Sequence, residues 1–197
     1  MTIHVIISFW AYLRPGESDK LKVRSLVAPH SSAGSHYSQW GLWLSATEDL
    51  TPGKTGLFDE AILLDNVKWL YPFLAVLTNG RDPNLSLWSH STYAFLNELE
   101  LATSMLGLHP LRICRYAWRH GGASEDLASG NRSRTEVKHR GRWVSDSSLA
   151  RYGKTTRLLA EISKVPANTL AYGKYCMENF ESLMHGSAQA PAPPCHN

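Results

Sequence analysis

Cysteine is scarce in this 197-residue chain: Cys114, Cys176 and Cys195 stand far apart, and no C-x-x-C pair occurs. An odd, scattered set supports neither a disulfide framework nor a zinc knuckle, and a reducing intracellular compartment is the simpler inference. The nine histidines show no H-E-x-x-H or other paired spacing, so a catalytic metal has no support in the sequence. There is no G-x-S-x-G elbow for serine-based hydrolysis. The run Gly53-Lys54-Thr55 fails as a phosphate-binding loop because Glu48 stands where the first glycine is required. Long hydrophobic runs are missing too. The apolar opening Met1–Trp10 is too short to span a bilayer and has neither a basic leader nor a cleavage site. No internal repeat is present. The remaining composition, 43% hydrophobic and 19% charged, is that of a globular domain, and the length suits one packed domain rather than two.

The net charge of +3 conceals an asymmetry. Residues 110–157 carry eleven Lys or Arg against four Asp or Glu, a local balance of +7, and the rest of the chain is −4. Two readings follow from charge alone: a surface for a polyanion, or a solvated basic face.

Hydrophobic periodicity predicts a helix over Ile3–Leu13, interrupted at Arg14-Pro15-Gly16 and resumed over Glu17–Arg24, with Pro15 suited to a first helical position. Ser25–Ala28, Gln39–Leu44 and Leu57–Leu64 read as strands, the last two joined through a turn at residues 51–54, so a small antiparallel sheet is expected. A helix capped by Asp65 or Asn66 should run to about Leu77 and stop at Asn79-Gly80. Further helices are predicted over His90–Leu106, Leu111–Trp118, Arg132–Arg142, Leu149–Ser163 and Pro166–Leu183. Residues 185–197 are Gly, Ala, Pro and polar residues and read as a disordered tail. The expected class is α+β, mainly α, with a small antiparallel β-sheet.

Several residues fit the chemistry of phosphodiester transfer. Arginine binds two phosphate oxygens at once and keeps its charge, tyrosine can serve as a nucleophile, and lysine can protonate a leaving oxygen. Residues 12–17 read Tyr-Leu-Arg-Pro-Gly-Glu, residues 53–55 Gly-Lys-Thr before an apolar strand, and residues 116–124 Tyr-Ala-Trp-Arg-His-Gly-Gly-Ala-Ser. Residues 141–152 read Gly-Arg-Trp-Val-Ser-Asp-Ser-Ser-Leu-Ala-Arg-Tyr, with Trp143 and Tyr152 nine residues apart. Taken in order, these segments resemble the catalytic motifs of the tyrosine recombinases, the phage-type integrase family, over roughly Leu13 to Lys154. The latter half is closest to integrase-like recombinases of eukaryotic mobile elements.

The resemblance implies the tyrosine recombinase catalytic fold, shared with type IB topoisomerases. It implies Arg14 and Arg119 as phosphate ligands, Glu17 as a supporting acid and Lys54 as general acid. It also makes Trp143 a packing residue with one N–H for phosphate, and Tyr152 the nucleophile of a 3′-phosphotyrosyl intermediate. Tyr116 occupies the place where the family's H-x-x-R box has histidine or lysine, and a phenol with an ordinary pKa of about 10 is a poor base at neutral pH. His120 is set aside as a substitute, since adjacent helical residues diverge by about 100°. No cofactor is implied. The implied partners are double-stranded DNA and further copies of the chain in a dimeric or tetrameric synapse, away from any membrane, in a nucleus or nucleoid. Arg14 stands too near the start for the family's N-terminal core-binding domain, so the expected organisation is a catalytic domain over 1–184 and a tail over 185–197. The segment Pro166–Leu183 would either dock on a neighbouring protomer or fold back on its own domain. Alongside site-specific recombination, the same residues suit a catalytically degenerate DNA-binding descendant, or a type IB topoisomerase-like relaxing activity.

Overall fold

The computed structural model describes residues 1–47, 53, 56, 59–65, 67–152 and 155–194. The chain divides into two compact units, Met1–His90 with Arg115–Gly153, and Ser91–Cys114 with Lys154–Asn197.

In the first unit the apolar opening forms α1 (Thr2–Trp10). It closes in a Schellman turn, the Leu13 amide donating to the Ser8 carbonyl at 3.0 Å and the Tyr12 amide to that of Phe9 at 3.3 Å. Tyr12 takes the left-handed position of that turn, at φ 48°. Arg14 then caps α2 (Pro15–Asp19), which Pro15 opens as expected. The helix predicted to continue to Arg24 stops at Asp19. Beyond it Leu21 and Lys22 pair instead with the segment at Ser86–Leu87, so extended backbone bonding outweighs helical propensity.

Strands β1 (Leu26–Val27), β2 (Gly41–Leu44) and β3 (Glu60–Leu63) form an antiparallel sheet in the order β1-β2-β3. Leu26, Leu42 and Ile62 stand in register on one buried face, as period-two alternation requires. The strands are shorter than predicted, and the expected start of the third, at residues 57 and 58, lies outside the described residues. Helix α3 (Tyr71–Thr78) begins later than expected, after a 3-10 turn at Lys68–Leu70, and ends at Asn79.

The helix predicted over Leu111–Trp118 does not form. His109–Leu111 is a 3-10 turn, Arg112 is left-handed, and the true helix α5 runs from Tyr116 to Ser129. Helix α6 (Arg134–Arg140) is opened by a Ser133–Glu136 capping box and α7 (Asp146–Leu149) by the Ser145 hydroxyl. The predicted helix Leu149–Ser163 is broken: Leu149 ends α7, and Tyr152 sits in the turn after it. Helix α5 packs directly on the end of α1. A Cβ placed on Gly122 would lie 2.1 Å from the Phe9 carbonyl oxygen, so only glycine permits this approach.

The first unit has two buried clusters. One joins Ile7, Leu42, Leu64, Leu70 and Leu74 with their apolar neighbours; the other joins Tyr12, Ala123, Val137 and Leu149, flanked by Leu127, Trp143 and Tyr152.

The second unit contains α4 (Thr92–Met105), α8 (Thr155–Ile162), α9 (Ala167–Glu178) and α10 (Phe180–Met184). Ser91 caps α4, and the Thr169 hydroxyl donates to the Leu106 carbonyl at 2.9 Å, tying α9 to the end of α4. The helix predicted over Pro166–Leu183 divides at Asn179. Residues 187–194 take no regular structure, and the Tyr175 hydroxyl donates to the Gln189 carbonyl. The described residues are thus mainly helical with a small antiparallel sheet, the α+β class expected. Among them no helix is long and apolar enough to cross a membrane.

Candidate functional site

Arg119 lies in the second turn of α5 and is 3% exposed. Burying a guanidinium costs several kcal/mol unless its charge and its N–H groups are satisfied. Its Nη1 donates to the Tyr12 carbonyl and its Nη2 to the Gly141 carbonyl. Both acceptors close a helix, α1 and α6 respectively, where the backbone carries a negative partial charge. Arg119 forms no ion pair with a described carboxylate, so the positive charge is cushioned and not neutralised.

Two more guanidiniums stand near it. Arg14 caps α2 and pairs with Glu17, whose Oε2 also accepts from the Arg14 amide at 2.7 Å. Arg142 follows α6 in a left-handed conformation, donates to Glu17 at 2.5 Å, and holds its Nε 3.6 Å from the Glu60 carboxylate. Burial and the like charges of Arg14 and Arg142 depress the Arg119 pKa to about 10, which leaves it charged at neutral pH. Burial alone would raise the Glu17 pKa, but Arg142 and the Arg14 amide outweigh it and keep Glu17 ionised. Three guanidiniums therefore stand against two carboxylates, Glu17 and Glu60, a surplus of positive charge that an anion would complete.

An aromatic stack adjoins them. The Arg119 guanidinium lies 4.5 Å from the centre of the Trp143 ring, Trp143 lies 4.5 Å from Tyr152, and Tyr152 stacks on His120 at 5.0 Å. Trp143 reaches this place by folding over Gly141, where an added Cβ would fall 2.0 Å from the indole. The Tyr152 ring is half-buried, and its hydroxyl has no hydrogen-bond partner among the described residues.

The structure thus brings Arg14, Glu17, Arg119, Trp143 and Tyr152 together. Tyr116 is 46% exposed at the start of α5, and its ring lies 6.5 Å from that of His120. Lys54 lies outside the described residues. His120, set aside because it diverges from Arg119 around α5, stands beside the site through its ring contact with Tyr152. No protein-family model, curated protein or solved structure matches this chain.

Sequence reasoning also missed Arg142, whose only signal was its place beside Trp143. The basic segment proves to be partly internal. Arg115 pairs with Asp19, Arg132 with Asp65 and Asp126, Arg140 with Asp65, and Arg142 with Glu17. Asp19, Asp65 and Glu17 all come from the acidic remainder of the chain, so much of the +7 balance stitches one unit together. Among the described residues no three His, Cys, Asp or Glu side chains gather as a metal site.

Proposed function

We propose that the first unit is the catalytic centre of a tyrosine-type DNA recombinase, cutting and rejoining strands through a 3′-phosphotyrosyl intermediate. The observation that carries this reading is Arg119: a buried guanidinium, held by backbone carbonyls, with no ion-paired carboxylate among the described residues, and one tryptophan ring away from Tyr152. A phosphodiester supplies the missing negative charge. Arg119 and Arg14 hold its non-bridging oxygens, and preorganised cations of this kind stabilise the charge that develops in transfer. The Tyr152 oxygen forms a bond to phosphorus as the bond to the 5′ oxygen breaks. The phenol releases its proton to solvent, and the 5′ oxygen takes one from Lys54. A 5′ hydroxyl reverses the step, so the bond energy is conserved. Double-stranded DNA is the partner, with further copies of the chain assembled on it.

A second reading is a DNA-binding descendant that no longer cleaves, favoured by the exposed Tyr116, which makes no hydrogen bond to the arginines. Covalent trapping separates the two. Nicked suicide duplexes from a randomised library are incubated with the wild type and with Tyr152→Phe, then resolved on denaturing gels. The proposal expects a protein–DNA adduct that Tyr152→Phe abolishes. Duplex binding without an adduct, unchanged when Tyr116→His is introduced, favours the non-cleaving descendant.

A further inference from the structure

Helices α1 and α6 end alike. Each closes with a Schellman turn, the Leu13 amide reaching Ser8 and the Trp143 amide reaching Lys138 at 3.1 Å. In each the left-handed position, ordinarily glycine, holds a large side chain: Tyr12 at φ 48° and Arg142 at φ 53°. A residue with a Cβ resists that conformation, so something must hold it there. For Arg142 the hold is Glu17. For Tyr12 it is helix α5 itself.

The Tyr12 ring is fully buried, and its hydroxyl donates to Asp126, which is 2% exposed and also accepts from Arg132 Nε at 2.9 Å. Asp126 and Arg119 stand seven residues apart on α5, two turns along the same face, a rise of about 10 Å. One helix therefore grips Tyr12 at both ends, Asp126 taking its hydroxyl and Arg119 its carbonyl. Burial, and then Asp126, push the phenol's pKa far up, so it remains a donor.

We infer that Tyr12 is a positioning residue: anchored through its hydroxyl to Asp126, it aims its main-chain carbonyl at Arg119 and fixes the guanidinium's orientation. Only the catalytic consequence of this rests on the proposed function.

The test uses the full chain labelled with 15N-arginine, the Arg119 guanidinium signals being assigned by their loss in Arg119→Lys. In the wild type both Nη groups are held, so rotation about the Cζ–N bonds is slow and separate signals are expected. Tyr12→Phe keeps the ring and removes the anchor, and should speed that rotation at least tenfold, on the order of one lost hydrogen bond. Unchanged rotation overturns the inference whatever the protein does to DNA. Should Tyr12→Phe fail to fold, Asp126→Asn and Asp126→Ala decide. Asn retains an acceptor and should preserve slow rotation, Ala should abolish it, and equal behaviour of the two overturns the inference. With DNA, adduct formation by Tyr12→Phe should fall about 100-fold, the order expected of a misplaced catalytic group. A neutral methylphosphonate at the scissile position, which needs no counter-charge, should restore most of that loss. A loss of the same size on both substrates overturns the route through Arg119. Absence of any wild-type adduct sinks the proposed function instead, and leaves the rotation measurement to judge Tyr12.

Discussion

Around Leu42, Leu64 and Leu74 the first unit is packed almost wholly by aliphatic and aromatic side chains, whereas around Tyr12 it is ringed by Arg119, Arg132, Arg140 and Arg142. The first cluster gains its stability from area removed from water and tolerates small adjustments of shape. The second holds charges that must find partners, and each partner fixes a direction. Asp65 serves both Arg132 and Arg140, Asp126 serves Arg132 and Tyr12, and Glu17 serves Arg14 and Arg142. The shared carboxylates pair the surrounding arginines, while Arg119 is oriented by the Tyr12 and Gly141 carbonyls and has no ion pair among the described residues.

The largest effect should come where the two regions meet. Gly122→Ala places a methyl against the Phe9 carbonyl, parting α5 from α1 at a cost above about 3 kcal/mol. Thermal unfolding checks this, and a midpoint within about 2 °C of wild type would refute the contact. Next come two neighbours that serve different clusters. Leu64→Ala empties a fully buried aliphatic site and should cost about 2–5 kcal/mol, independent of salt. Asp65→Asn weakens two ion pairs at 2.7 and 3.2 Å, and should cost about 1–3 kcal/mol, less in molar salt. Urea melts at low and high sodium chloride measure both, and identical salt responses would erase the distinction drawn between the clusters.

The smallest effect concerns pH. His4 is buried in contact with the apolar cluster, stacked on Trp88 at 4.2 Å and hydrogen-bonded to Ser18 at 2.5 Å and His90 at 3.0 Å. Burial, and then the charge of His90, lower its pKa from 6.5 to about 4. The folded state therefore binds fewer protons than the unfolded state between those values. Its contribution is complete above pH 6.5 and lost as pH falls towards 4, on the order of 1–2 kcal/mol. The slope of stability across that window should shrink in His4→Gln, and an unchanged slope would clear His4 of the effect.

The sheet was legible because its strands are rich in Val, Ile, Leu and Trp and the last two are separated by a turn signal, and the start of α2 because Pro15 suits a first turn. The start of α5 was not. Leu111–Trp118 has helical composition, but Arg112 turns left-handed and three further residues pass before the helix begins at Tyr116. The break between Leu149 and Thr155 had a signal that the helix prediction passed over, since Gly153 stands within the predicted span. Arg14, Arg119, Trp143 and Tyr152 could be singled out because the segments that carry them resemble, in order, the catalytic motifs of the tyrosine recombinases. His120 could not, since its neighbour across the stack is 32 residues away along the chain.

By itself the sequence determined which groups carry charge, where apolar residues recur, and where glycine leaves room for a close approach. It could not determine how that charge is spent. Eleven basic residues in one segment read either as a surface for an anion or as a solvated face, yet Arg115, Arg132, Arg140 and Arg142 turn inward to acids from elsewhere in the chain. Only the tertiary structure left Arg119 without an ion pair among the described residues, because ion pairing depends on distances of a few ångströms that long-range folding alone sets.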